Sequence, residues 1–173
     1  MRQNRRAIIA TLIYTAARVG AVAKLRVRDY YADGHQWWFR FDEKGGKART
    51  IPARHDVEMY IEAYMVAAGI EKDEEDAPLF RSAVRKTKVL TPRMLTANDI
   101  YRMVKRRLQD ARLPARHLSC HSFRATAITD LLTQGVPLED VQYLAGHSDP
   151  RTTRLYDRRQ KQVTRNIVER ISV

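Results

Sequence analysis

The chain has 173 residues, room for one domain with its own hydrophobic core and too few for two of ordinary size. With 44% hydrophobic and 30% charged residues it is globular rather than disordered, and its single cysteine, Cys120, excludes an intrachain disulfide and a Cys-x-x-Cys metal site. A net charge of +12 points to a polyanion, nucleic acid most simply or an anionic membrane surface, and the lone thiol fits a reducing, intracellular setting.

Arg5-Arg6, the apolar run 7–17 and Ala21-Val22-Ala23 imitate a secretory leader, but a run of eleven residues is too short to cross a bilayer as a helix. The positive charge is then left to nucleic acid. The run itself reads as a mostly buried helix, with a short second one over 18–24. Residues 25–52 change period: LRVRDYY, an Ala32-Asp33-Gly34 turn, QWWFRFDE, a Lys44-Gly45-Gly46-Lys47 turn and ARTIP predict three antiparallel strands closed by Pro52. Val57, Tyr60, Ile61, Tyr64 and Met65 give residues 55–68 a helical spacing. An acidic tract, 71–76, reads as a solvated loop and is followed by a basic stretch, 81–93. Residues 97–111 form a helix carrying Lys105, Arg106 and Arg107. After Pro114, residues 122–133 read as a helix ended by Gly135, and 138–145 as another ended by Gly146. The last segment, 160–171, is amphipathic through Val163, Ile167 and Ile171. No repeat, low-complexity tract or interdomain linker interrupts the pattern. The predicted fold is α+β and mainly helical: a helical domain with one small three-stranded antiparallel sheet.

The chemistry-bearing residues lie near the end. His121 and Arg124, in CHSFRATAITDLLTQG, are three apart and share one side of a helix start. On their own they would pass for a solvated histidine and a surface arginine. Twenty-two residues past Arg124 comes Gly146-His147, and nine past His147 comes Tyr156, within GHSDPRTTRLYDRR. The glycine ends a helix and Ser-Asp-Pro starts a new short one, so Tyr156 sits on a local segment just beyond the histidine.

This H-x-x-R, G-H and tyrosine series resembles the C-terminal signature of the tyrosine recombinase (phage integrase) family, and the likeness to its catalytic domain extends over nearly the whole chain. Upstream, TAARVGAVAKL is similar to the family's first arginine box, roughly T-G-L-R-x-x-E-L-x-x-L, and places Arg18. Lys44-Gly45-Gly46-Lys47-Ala48-Arg49 is similar to its K-G-x-K-x-R hairpin turn and places Lys44. Six positions in order make a strong signal where any one would be weak. Two positions depart from the pattern: Ala16 stands where the family usually has glycine, and Ala21 where it usually has an acid that would orient the arginine.

The resemblance implies a metal-independent cut in DNA that uses no cofactor. Tyr156 would attack the scissile phosphate and form a 3′-phosphotyrosyl link with a free 5′-OH. A phenol ionises only near pH ~10, so the attack calls for a base, and His121 is the candidate. Arg18 and Arg124 would present planar forks to the non-bridging oxygens, and His147 would donate a further hydrogen bond. Together they form an electrostatic clamp on the pentavalent phosphorane. Lys44 would protonate the departing 5′ oxygen. Attack by a 5′-OH from another strand would reverse the steps, the bond energy being kept in the phosphotyrosine.

Lys47, Arg49, Lys105, Arg106 and Arg107 are expected to contact DNA phosphates, as is the basic stretch 81–93. Double-stranded DNA is the implied partner, with a homo-tetramer on DNA for a full-length protein, no membrane, and a cytoplasmic, nucleoid-associated location. Relatives usually carry an N-terminal helical domain that closes around the duplex. Arg18 comes within twenty residues of Met1, so residues 1–173 read as the catalytic domain alone, a fragment of a longer integrase rather than a reduced protein. Trp37 and Trp38, on opposite strand faces, read as packing residues, and Cys120 as a small core residue. His35, His55 and His117 read as surface residues. Tyr14, Tyr101 and Tyr143 read as packing, and the Val163/Ile167/Ile171 stripe as a helix on its own domain or on a neighbouring protomer. The competing functions are a type IB topoisomerase with the same site, a catalytically silent DNA-binding module, which the intact six residues argue against, and a basic partner-binding protein, which leaves the motif unexplained.

Overall fold

The computed structural model describes residues 2–42, 48–70, 74–84, 87 and 89–158. Lys44, Lys47 and the amphipathic segment 160–171 lie outside the described residues.

Helix α1 spans Arg2–Tyr14, three residues shorter at its C-terminus than the apolar run predicts. The reason is a chain of threonine back-bonds. Thr11 Oγ1 donates to the Ala7 carbonyl at 2.9 Å and Thr15 Oγ1 to the Thr11 carbonyl at 2.6 Å, while Thr15 Oγ1 also accepts from the Ala17 amide at 3.2 Å. A side chain that competes this way for backbone groups closes a helix rather than continuing it. Ala16 then turns through the left-handed region, φ 48°, and α2 starts at Val19 and runs to Lys24.

A 3₁₀ turn at Val27–Asp29 leads into β1 (Tyr30–Asp33), β2 (Gln36–Asp42) and β3 (Ala48–Pro52), an antiparallel sheet in the order β1-β2-β3. In β2 the alternation is plain: Phe39 and Phe41 face inward while Arg40 and Asp42 face outward. The fold class read from the sequence is the one observed. Helix α3 covers His55–Ala68, closed by Gly69 in the left-handed conformation, φ 60°.

The basic stretch holds two short strands the sequence reading does not contain, β4 (Arg81–Ala83) and β5 (Leu90–Met94), paired antiparallel. Pro92 inside β5 masks the signal, since proline is admitted only at a sheet edge. Residues Glu74 and Asp76 of the acidic tract are ion-paired, Glu74 with Arg81 and Asp76 with Arg28 and Arg26, so this part of the loop is clasped to the domain. Helices α4 (Ala97–Asp110), α5 (Cys120–Thr133), α6 (Leu138–Ala145) and α7 (Pro150–Arg154) complete the described chain.

Two hydrophobic clusters form among the described residues. The larger joins α1, α2, the three-stranded sheet, α3, α4 and the first residue of α5, with Phe39, Phe41, Tyr64 and Phe80 at its centre. The smaller consists of Ile128 and Leu132 of α5, Val141 and Ala145 of α6, and Ala16 from the α1–α2 turn. Tyr14, Tyr101 and Tyr143 are exposed at 37%, 41% and 59%, a correction to the packing role read for them. In α6, Val141 and Ala145 hold the inward stripe, which turns Tyr143 to the outside. The other readings of this group agree with the structure: Cys120 is core, and His35, His55 and His117 are exposed.

Candidate active site

The site forms where the two clusters meet. Arg18 is the N-cap residue of α2, placed there by the Thr15–Ala16 turn. Its side chain is exposed, and Nη1 donates to the Gly146 carbonyl at 3.4 Å. No acid stands at Ala21, and one contact of the Arg18 guanidinium is instead with the carbonyl at the end of α6.

His121 and Arg124 stand on the first turns of α5, whose N-terminus is fixed by a capping box. Ser119 Oγ accepts from the His121 amide at 3.2 Å, and the Ser119 amide donates to Ser122 Oγ at 3.0 Å. The buried stripe of this helix is Cys120, Arg124, Ile128 and Leu132, so an arginine occupies a core position. It is 3% exposed, and its Nη1 donates to the carbonyl of Ala16. His121, one step round the helix, faces solvent.

Gly146 closes α6 at φ 61°, a conformation in which a side chain at Cβ is strained, and this tight turn sends His147 back inward. The turn is stapled twice: the His147 amide donates to the Gln142 carbonyl at 3.1 Å, and Gln142 Nε2 donates to the His147 carbonyl at 2.9 Å. The imidazole is 8% exposed and its Nδ1 lies 2.9 Å from Thr153 Oγ1. Burial pushes its pKa down from 6.5 to about 4, helped by the positive field of Arg124, Arg18 and Arg49 and by His121. His147 is therefore neutral near pH 7.

Asp149 caps α7 by accepting from the Arg151 amide at 2.9 Å, and Pro150 takes the first helical position. The helix is one turn long and delivers Tyr156 between the two histidines. The phenol oxygen is 3.2 Å from His121 Nε2, and the ring stacks on His147 at 6.0 Å between centroids and 14° between planes. The structure thus brings Arg18, His121, Arg124, His147 and Tyr156 together from four helices and one turn. It can place a phenol beside a base, with two guanidinium groups and a neutral imidazole at hand for an anion.

The basic residues named for DNA divide differently. Arg49 is 4% exposed, donates to the Leu144 carbonyl and lies over the Phe41 ring at 5.2 Å. It shares the inward face of β3 with Ile51, opposite Phe41 in register, rather than standing on the outer surface of the sheet. The two-residue period with Ile51 was the available signal. Lys105 donates to the Ala115 carbonyl, Arg107 pairs with Asp110 at 2.7 Å beside Arg2, Arg5 and Arg6, and Arg106 is exposed. Three successive helical residues point about 100° apart, so they cannot form one patch. Thr153, wholly buried against His147, is the residue that the sequence reading missed. Among the described residues no group of His, Cys, Asp and Glu could hold a metal ion, and no helix is long and apolar enough to cross a membrane.

Two arginines, two histidines and a tyrosine thus meet in a mainly helical domain that carries one small three-stranded sheet. The model of the phage integrase family matches residues 2–163, and the chain belongs to that family. It is 35% identical over 150 residues to the tyrosine recombinase XerC of Corynebacterium efficiens, covering 87% of this chain and 44% of the relative. It is 27% identical over 169 residues to the tyrosine recombinase XerA of Pyrococcus furiosus, covering 97% and 54%. The chain spans about half the length of the curated relatives it matches. In fold it is similar to the XerH site-specific recombinase bound to difH substrate in a pre-cleavage complex, with a TM-score of 0.75, 22% identity and coverage of 92% of this chain and 44% of the other. It is also similar to a lambda integrase dimer bound to a COC′ core site, with a TM-score of 0.63, 17% identity and coverage of 93% and 45%.

Proposed function

We propose that this chain is the catalytic domain of a site-specific recombinase, which cuts and rejoins double-stranded DNA through a 3′-phosphotyrosyl intermediate. The observation that carries the reading is the 3.2 Å approach of the Tyr156 hydroxyl to His121 Nε2, with His147 stacked on the same ring. Tyr156 Oη attacks phosphorus and its proton passes to His121 Nε2. Arg18 and Arg124 balance the phosphorane charge, and His147 donates to one of its oxygens. The bond from phosphorus to the 5′ oxygen breaks and that oxygen takes a proton, the role assigned to Lys44. Electrons and protons balance without ATP, and rejoining is the reverse.

The family and the relatives named as recombinases support this reading over a topoisomerase, a silent binding module or a partner-binding protein. The +12 charge suits a duplex substrate, and recombinases crystallised on DNA share the fold. Residues 1–173 act here as the catalytic unit, with a tetramer on DNA and a place beside the nucleoid as the setting.

The test is a labelled duplex nicked just beyond the cut site, so that the short 5′-OH fragment diffuses away and the cut state is trapped. The chain should leave a denaturant-resistant protein–DNA adduct, and Tyr156→Phe, folded and DNA-binding, should leave none. Adduct formed by the phenylalanine variant would remove Tyr156 from its role. Relaxation of supercoils without strand exchange would favour the topoisomerase.

A further inference from the structure

Thr153 has no part in the catalytic set described above, yet it touches both halves of that set. Its side chain is wholly buried, its hydroxyl lies 2.9 Å from Nδ1 of His147, and its carbonyl accepts from the Tyr156 amide at 3.0 Å. The imidazole is the one hydrogen-bond partner that the described residues give this hydroxyl.

A neutral imidazole carries one N–H, on Nδ1 or on Nε2, and the two tautomers present opposite groups to a substrate. Were Nδ1 to donate to Oγ1, the threonine proton would be left without an acceptor in a place closed to water, which costs about 1–3 kcal/mol. With the hydroxyl donating instead, Nδ1 accepts, both atoms of the buried contact are satisfied, and the ring proton sits on Nε2. The second arrangement also leaves His147 with a donor on the nitrogen that Thr153 does not hold.

We propose that Thr153 is a positioning residue, which donates its hydroxyl proton to Nδ1 of His147 and so fixes the Nε2–H tautomer that hydrogen-bonds the scissile phosphate. The proposal rests on the recombinase reading for the phosphate and on the structure alone for the tautomer. It also gives the short helix α7 a second use. The residue one turn before the nucleophile aims the histidine on which the nucleophile's ring is stacked, so Tyr156 and His147 are both held by one residue.

The two layers are tested separately. In the ¹⁵N-labelled chain at pH 7, long-range ¹H–¹⁵N correlations of the histidine rings, assigned with His147→Asn, should show His147 as the single Nε2–H tautomer. A protonated Nδ1 overturns the proposal without any change at Thr153. Thr153→Val, which keeps the shape and removes the hydroxyl, should give a mixture of tautomers, and Thr153→Ser should keep the single one. On saturating nicked duplex, Thr153→Val should slow single-turnover cleavage by about 10- to 100-fold, a fraction of what loss of a preorganised donor brings. Thr153→Ser should stay within about threefold of the unmodified chain. Equal losses in both variants would show that the effect does not follow the hydroxyl and would overturn the positioning role. If the unmodified chain shows the predicted tautomer and forms no adduct, the functional reading fails and the tautomer assignment stands.

Discussion

Among the described residues the larger hydrophobic cluster holds 25 buried residues and the smaller holds five, and the candidate catalytic set is shared between them. Ala17 and Cys120 belong to the larger cluster, and each is the residue before a catalytic candidate, Arg18 and His121. His147 follows Ala145 of the smaller cluster at two residues' distance, and Tyr156 packs against that cluster directly. Arg18 and His121, the residues proposed to hold the phosphate and to take the proton, are thus fixed to the thick part of the protein. Tyr156, the proposed nucleophile, and His147, on which its ring stacks, are fixed to a thin one. Arg124 joins the two, since it stands on α5 between Cys120 of the larger cluster and Ile128 of the smaller and its guanidinium grips the Ala16 carbonyl. Stability is not uniform across such a molecule, and a segment with few buried contacts opens at lower free energy than the rest.

The two arginines give the largest test of this division. Either substitution by alanine should lower cleavage by about 10²–10³-fold, the usual effect of losing a donor to developing charge. Their effects on folding should separate. Arg124→Ala strands the buried Ala16 carbonyl and should cost about 1–3 kcal/mol in urea unfolding, whereas the exposed Arg18→Ala should stay within about 0.5 kcal/mol. Equal stability losses would mean that Arg124 is not the joint between the clusters.

Next in size are two leucines, both wholly buried: Leu12 in the larger cluster and Leu132 in the smaller. Each change to alanine should cost about 2–5 kcal/mol. Hydrogen exchange should tell them apart. Leu132→Ala should release the amides of α6 and α7 well ahead of those in α1 and α3, and Leu12→Ala should release all of them together. Uniform release in both would make the two clusters one cooperative unit.

How much of this was written in the sequence depends on the range of the interaction. Arg18, His121, Arg124, His147 and Tyr156 were singled out because their motifs and spacing resemble those of the family, and the glycine before His147 announces its own turn. The depth of each side chain was not local. Arg49 reads as a basic residue of a hairpin until the alternation with Ile51 is followed inward, and Arg124 reads as surface until its stripe with Cys120, Ile128 and Leu132 is drawn. Thr153 was illegible for a different reason: its partner is six residues away across a helix break, and no periodicity links the two. The β4–β5 pair was hidden by Pro92, which is tolerated only because the strand has an open edge.

His147 supplies a test by pH. Its folded pKa is about 4 and its unfolded value is 6.5. Between those values the unfolded chain binds more protons, so stability rises with pH across the window and is lost as pH falls from about 6.5 to about 4. The loss should amount to about 1–3 kcal/mol, read as a falling urea midpoint. In His147→Asn, which keeps a hydrogen-bonding group toward Thr153, this part of the slope should disappear. An unchanged slope would show that the imidazole is charged in the folded protein, contrary to its burial in the smaller cluster.

The smallest expected effect is at Ala16, the residue the N-terminal part of the chain lends to the smaller cluster. Its φ of 48° disfavours any side chain, by about 1–2 kcal/mol for an L-residue in the left-handed region. Glycine would relieve that strain. Against it stand the loss of a wholly buried methyl, about 0.8 kcal/mol, and a freer unfolded chain, about 0.4–1 kcal/mol. The terms nearly cancel, so Ala16→Gly should change the unfolding free energy in urea by less than about 1 kcal/mol, at an unchanged slope. Cleavage should hold as well, because the Ala16 carbonyl that Arg124 grips is fixed by the backbone turn and the Thr15 hydroxyl, not by the methyl. A loss of more than about 2 kcal/mol would show that the smaller cluster depends on this methyl far more than its area allows. A gain of more than about 1 kcal/mol would show that the turn before Arg18 is held under strain, with Arg124 as the group that holds it there.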